Sequence, residues 1–224
     1  MSRGTLKQKI FLENDDRLSF FGTLFGVISR YEWSCYTYCL MDNHYHLLVE
    51  THQANLSEGM HKLNSDYCNR FNSKYGGVGH VLQGRFYSSL IENEAHLMET
   101  IRYTALNPVS GGLVRKPGQW RWSSYRAISG LGPVPDFLDV EYTLGLFSDN
   151  NETARKAYLH FVADGLLRDQ AKRTTLQEIF RGATDRHQRN NAIHVAYFEH
   201  DYTMTELATY LKLNRTTVGR VLGS

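Results

Sequence analysis

The sequence predicts an α+β domain, an antiparallel sheet with helices on one face, followed by an all-α region that ends in a helix-turn-helix. Three observations carry this. A stretch rich in aromatic and β-favouring residues (33–51) lies between two amphipathic helical patterns, an extended stretch (80–92) feeds a third, and residues 152–222 read as helical throughout. Residues 14–29 open with Asn14, Asp15 and Asp16 as cap candidates and carry Leu18, Phe21, Leu24, Phe25 and Ile28 at helical spacing. Residues 33–51 read as a β-hairpin, with Asp42 and Asn43 supplying the turn. Leu56, Met60, Leu63, Tyr67 and Phe71 then recur every three to four residues until Gly76 and Gly77, a natural helix stop. Residues 80–92 read as a strand. Asn93 caps a helix carrying Leu97, Met98, Ile101 and Ala105, which Pro108 is expected to end. One further N-terminal strand would complete the sheet.

Glycine, proline and aspartate punctuate residues 128–150, so this segment is expected to connect a domain over 1–127 to a helical region over 151–224. In that region Thr203 and Glu206 have capping-box spacing. A short helix, a turn near Leu213 and Asn214, and a second short helix follow, which makes the helix-turn-helix over about 203–222.

Composition narrows the class. At 224 residues and 25.8 kDa the chain fits one domain with a small appendage and excludes two full catalytic domains. With 42% hydrophobic and 21% charged residues it can bury a core. No window approaches the roughly 18 apolar residues of a membrane span, and the N-terminus has no signal-like apolar run, so a cytoplasmic location without membrane partners is expected. Cys35, Cys39 and Cys68 lack CxxC spacing, which fits a reducing compartment and argues against a closed zinc knot. The net charge of +2 is too small to announce nucleic-acid binding by itself.

The sharpest local feature is His44-Tyr45-His46, opening the second arm of the hairpin. Period-two geometry points both imidazoles to one face, where two ligands can meet one ion. An HxH in a histidine-rich chain is as often a pair of half-buried polar residues. On the third helix Tyr103 and Asn107 share a face, four residues apart, while Leu97, Ile101 and Ala105 occupy another. If that helix packs across the sheet, the Asn107 carbonyl joins both histidines as a third ligand and Tyr103 sits one turn away. Two imidazoles and a neutral amide add no negative charge, which suits Mg²⁺ or Mn²⁺ attracting a phosphate. The bland alternatives are a surface tyrosine and an asparagine that merely precedes a proline stop.

These residues resemble the single-tyrosine HUH-nuclease transposases, and most closely the REP-associated tyrosine transposases. The resemblance is carried by YCLMDNHYHLLVET (38–51), NLSEGMHKLNSDYCNRFN (55–72), GHVLQGRFYSSLIE (79–92), RYTALNPVSGGLV (102–114) and WRWSSY (120–125), within residues 3–127. It implies a ferredoxin-like sheet, a divalent metal on His44, His46 and Asn107, and Tyr103 as the nucleophile toward single-stranded DNA beside a hairpin. It also implies a 5′-phosphotyrosine link, a released 3′-hydroxyl and no need for ATP. Relatives include monomers and dimers, so a homodimer stays open. They generally carry another stretch before the SRG-like segment, so the first, central strand is expected to be missing from the sheet.

The sequence names no base for the Tyr103 phenol; metal-bound water, Glu99 and His96 are all open. Phosphate contact is one reading of Arg3, Lys62, Arg70, Lys74, Arg85, Arg102, Arg121 and Arg126, and a solvated face is the other. In the tail, Arg215, Thr216, Thr217 and Arg220 have the placement of a recognition helix. Three functions compete. The first is a metal-dependent strand transferase at hairpin-forming repeats. The second is a domesticated DNA-binding regulator with an inert nuclease half. The third, a zinc hydrolase, lacks an HExxH or carboxylate cluster to supply its base.

Overall fold

The computed structural model describes residues 1–172, 175–198 and 202–222, and the chain divides into two compact units, Met1–Ala163 and Asp164–Ser224. Unit one is built on a three-stranded antiparallel sheet ordered β1 (Ser2–Arg3), β3 (His44–Thr51), β2 (Trp33–Leu40). Its helices are α1 (Asn14–Tyr31), α2 (Leu56–Tyr75), α3 (Glu94–Ser110), the short α4 (Tyr125–Ile128) and α5 (Val140–Gly145), and the start of α6 (Asn151–Lys172). Among the described residues no helix is long and apolar enough to cross a membrane.

The hairpin forms as its sequence predicts, and its turn is held from outside. Backbone N–H groups of Ile10 and Phe11 donate to the Asp42 carbonyl at 2.9 and 3.2 Å, and that of Gly4 donates to the Asn43 carbonyl at 2.8 Å. The Asp42 carboxylate pairs with the buried Arg17 of α1 at 2.6 Å, and the guanidinium lies 5.2 to 5.5 Å from the rings of Phe11, Trp120 and Trp122. Helix α1 is thereby tied to the turn that precedes His44.

The sheet carries helices on both faces, not on one. Alternation along β3 sends Tyr45 one way and its neighbours His44 and His46 the other. Tyr45 is fully buried, its ring 4.7 Å from Phe20 of α1 and its hydroxyl bonded to Asn64 of α2, whereas His46 meets Tyr103 of α3. Both faces of β3 offer apolar surface, and each needs a cover.

Other expectations are corrected locally. Helix α1 is capped at Glu13, and Asp16 reaches back so that its carboxylate accepts from the Leu12 and Glu13 N–H groups, both at 2.8 Å. Pro108 lies inside the last turn of α3. So near the end a proline forfeits only one helical bond, and the chain turns out at Gly112, φ 71°. Residues 80–92 form no regular strand. They run beside β1, with the Gln83 and Tyr87 N–H groups donating to the Arg3 and Met1 carbonyls at 2.7 and 2.9 Å, and Gly84 at φ 59° breaks the alternation between those contacts. Beside β3, on the side away from β2, lies the two-residue β1. Finally, residues 128–150 do not connect units but close the edge of β2. Asp139 N–H donates to the Cys35 carbonyl at 2.8 Å, the Thr143 hydroxyl donates to the Tyr36 carbonyl at 3.1 Å, and Leu138, Val140 and Leu144 are buried. The unit boundary falls instead within α6.

Unit two contains α7 (Leu176–Ile179), α8 (Arg186–Phe198), α9 (Met204–Leu211) and α10 (Arg215–Val221). Ile193, Ala196, Leu207, Ala208 and Val218 form its core. The Thr203 and Glu206 capping box opens α9, and Lys212 in the left-handed region turns the chain into α10.

Candidate active site

Strand β3 and helix α3 bring the expected residues together. His44 and His46 share a face with ring centroids 5.0 Å apart, and the Tyr103 ring stands edge-on to His46 at 5.4 Å. One turn along α3 the Asn107 side chain is buried and lies near enough to His44 to act on its titration. Tyr103 is 54% exposed and Asn107 7%, so the phenol faces solvent while the amide is held in place. The helix packs this way because Ile101, Ala105 and Leu106 bury its other side.

The electrostatics favour ligation. Burial, then the Arg3 charge, pushes His44 down to about 4, against the opposing influence of the Asn107 side chain. Burial, then the neighbouring His44 and later Arg3, pushes His46 down to about 3. Both imidazoles are therefore neutral at pH 7 and keep lone pairs for a cation. His44 Nδ1 lies 2.7 Å from Asn43 Oδ1, an outer contact that sets the ring's orientation, and His46 Nε2 is buried with no partner. An orphaned imidazole nitrogen beside a second imidazole and an amide fits a divalent ion. Among the described residues no group of three or more His, Cys, Asp or Glu could hold a metal, so any such site needs the amide.

A cleft of about 1020 Å³ opens beside these groups, with Arg3, His46, Tyr103 and the stacked pair Tyr36 and Tyr142 on its walls. Of the two side chains considered as base, His96 lines the same cleft as Tyr103 and Glu99 does not. Glu99 is held by Arg102, and His96 sits seven residues from Tyr103 along α3, about 10 Å. Asn43, read from sequence as turn chemistry alone, also orients the His44 ring. Its position directly before the HxH pair was the signal available.

The basic residues divide. Arg3 reaches the site. Arg70, Arg85 and Arg121 are exposed, Arg121 with its guanidinium 4.5 Å from the Trp122 ring, and Lys62 pairs with Asp66 at 3.0 Å. Three are engaged by partners within the protein, Lys74 while remaining exposed. Lys74 bridges Glu13 and Asp16 at 3.3 and 2.7 Å, Arg102 turns inward onto Glu99 and the Phe161 ring, and Arg126 donates to the Gly118 and Leu131 carbonyls, both at 2.8 Å. In unit two Arg215, Thr216 and Arg220 are exposed and Thr217 is half-buried.

Residues 5–104 match the family model described as Transposase IS200 like. Over those residues the chain is similar to the IS200-like transposases. That match takes in His44, His46 and Tyr103 and stops three residues short of Asn107. A solved structure of a REP-associated tyrosine transposase bound to a REP hairpin is similar over 62% of this chain and 84% of its own, at 17% identity and a TM-score of 0.49. No curated protein matches the chain.

Proposed function

We propose that this chain cuts and rejoins single-stranded DNA at hairpin-forming repeats, with Tyr103 as the nucleophile. His44, His46 and Asn107 would hold a divalent ion, Mg²⁺ or Mn²⁺. The carrying observation is the convergence of a solvent-facing phenol with two neutral imidazoles, one of them orphaned, and an amide from a different element. The bound ion would supply Lewis-acid polarisation of the phosphodiester.

The protein's own part is nucleophilic. Tyr103 Oη bonds to phosphorus and the bond from phosphorus to the 3′-oxygen breaks. The phenolic proton passes to water in the open cleft and the departing 3′-oxygen takes up a proton, leaving a 5′-phosphotyrosine and a 3′-hydroxyl. One phosphoester bond replaces another, so rejoining needs no ATP. The α3 scaffold positions the phenol, and the 54% exposure of Tyr103 leaves room for a strand to approach. Arg215, Thr216, Thr217 and Arg220 on α10 are proposed contacts to the hairpin.

Incubation with a panel of hairpin-bearing single strands and Mg²⁺ or Mn²⁺ tests this on a denaturing gel. Wild type forms a covalent adduct at Tyr103, and Tyr103→Phe forms none while still binding. Absence of an adduct across the panel, together with tight metal-independent duplex binding, would instead establish the chain as a DNA-binding regulator.

A further inference from the structure

Arg3 is a cation built into the site without a counterion. In the ladder between β1 and β3 it lies directly opposite His44, and cross-strand partners point to the same face. It therefore shares the face of both imidazoles and lines the cleft together with His46 and Tyr103. Its Nε is buried and has no partner, and among the described residues no carboxylate pairs with it. Glu50, the β3 carboxylate of that cleft, is engaged by the Tyr36 hydroxyl. Arg17 and Arg155 of unit one also bury an Nε without a partner, but Arg17 has Asp42 as counterion and neither lines the cleft, while Arg102 has Glu99 and Arg126 has two carbonyls.

A half-buried guanidinium with idle donors is an anion site, and its planar fork matches the oxygens of a phosphate group. We infer that Arg3 is a phosphate-binding residue that holds a non-bridging oxygen of the scissile phosphodiester beside Tyr103, and does so without the metal. The backbone supports this placement: the Gln83 N–H donates to the Arg3 carbonyl at 2.7 Å, and the Gly4 N–H donates to the Asn43 carbonyl at 2.8 Å, so the residue is fixed on both sides. The inference deepens the proposed strand transfer and rests on that reading for the identity of the phosphate. The anion site itself stands on geometry alone.

The first test uses inorganic phosphate in metal-free buffer, followed by ³¹P line broadening. Wild type and Tyr103→Phe show saturable binding; Arg3→Gln weakens it by about tenfold or more, and Arg3→Lys retains it in part. Equal binding by wild type and Arg3→Gln overturns the inference. The second uses the tightest-binding hairpin strand on the Tyr103→Phe background, where Arg3→Gln lowers the slope of log affinity against log salt by about 0.7. In proteins that keep Tyr103, Arg3→Gln slows adduct formation by about 10² to 10³, and Arg3→Lys, which folds with the charge kept but without the fork, is slowed less. Adducts formed at wild-type rate by both variants overturn the inference and leave strand transfer standing. Arg3-dependent phosphate binding with no adduct on any strand does the reverse.

Discussion

The two faces of the β3 strand are built from adjacent residues and do opposite things. On the side of α1 and α2, Tyr45, Phe20, Phe11 and Tyr67 pack ring against ring at 4.7 to 5.5 Å, and the hydroxyls of Tyr45 and Tyr67 are bonded to Ser2, Asn64 and the Ile10 carbonyl. On the side of α3, one residue away in sequence, His46 Nε2 and Arg3 Nε are buried with no partner and a wide cleft opens. The first face is packed and dry, with its tyrosine hydroxyls paired, as a stable core requires. The second leaves polar groups idle, at a cost in stability that a core would not carry, and those groups are the ones the proposed cation and anion would complete.

The contrast can be broken most sharply at Tyr103. Tyr103→Phe should abolish the DNA adduct on gels while leaving stability within about 0.5 kcal/mol by urea unfolding, because the side chain is exposed. On the dry face the balance inverts. Tyr45→Ala should cost roughly 3 to 5 kcal/mol in the same measurement, since it opens a cavity and strands Asn64.

Metal should distinguish the faces next. With Mn²⁺ at a hundredfold its dissociation constant, wild type should gain about 2.7 kcal/mol, and the gain should vanish in His46→Ala but survive in Gly59→Ala. Gly59→Ala probes packing where α2 meets β2, because an added Cβ would lie 2.2 Å from the buried Trp33 ring. It should cost about 1 to 3 kcal/mol and leave any adduct chemistry in place.

The smallest effect concerns pH. Burial alone would push the Asp16 carboxyl up, but hydrogen bonds from Lys74, the Glu13 N–H, Tyr75 and the Leu12 N–H hold it below its usual value of 3.8. A depressed carboxylate contributes stability that is present above pH 3.8 and lost as pH falls below it. Wild type should therefore lose stability through that acid window, and Asp16→Asn should lose less, by thermal unfolding at stepped pH. Helix α1 and the link from α2 through Lys74 would loosen while the α3 side keeps its geometry.

Periodicity alone placed α1, the hairpin, α2 and the start of α3, since each pattern reports on the nearest shell of the chain. His44 and His46 were on one face as soon as β3 was a strand, and Tyr103 and Asn107 on one face as soon as α3 was a helix. Which side of the sheet α3 covers could not be read that way. It depends on the second apolar face of β3, on the segment over 128–150 closing the edge of β2, and on the inward turn of Arg102 against Phe161. The fate of each basic residue was equally hidden, because a lysine or arginine is free or spent according to an acceptor that lies far along the chain, as Asp16 does for Lys74. Local sequence therefore determined the elements and the faces they offer. Only tertiary packing decided which faces meet, which charges are neutralised and which are left, like Arg3, to find a partner outside the protein, because desolvation and pairing are properties of neighbours in space.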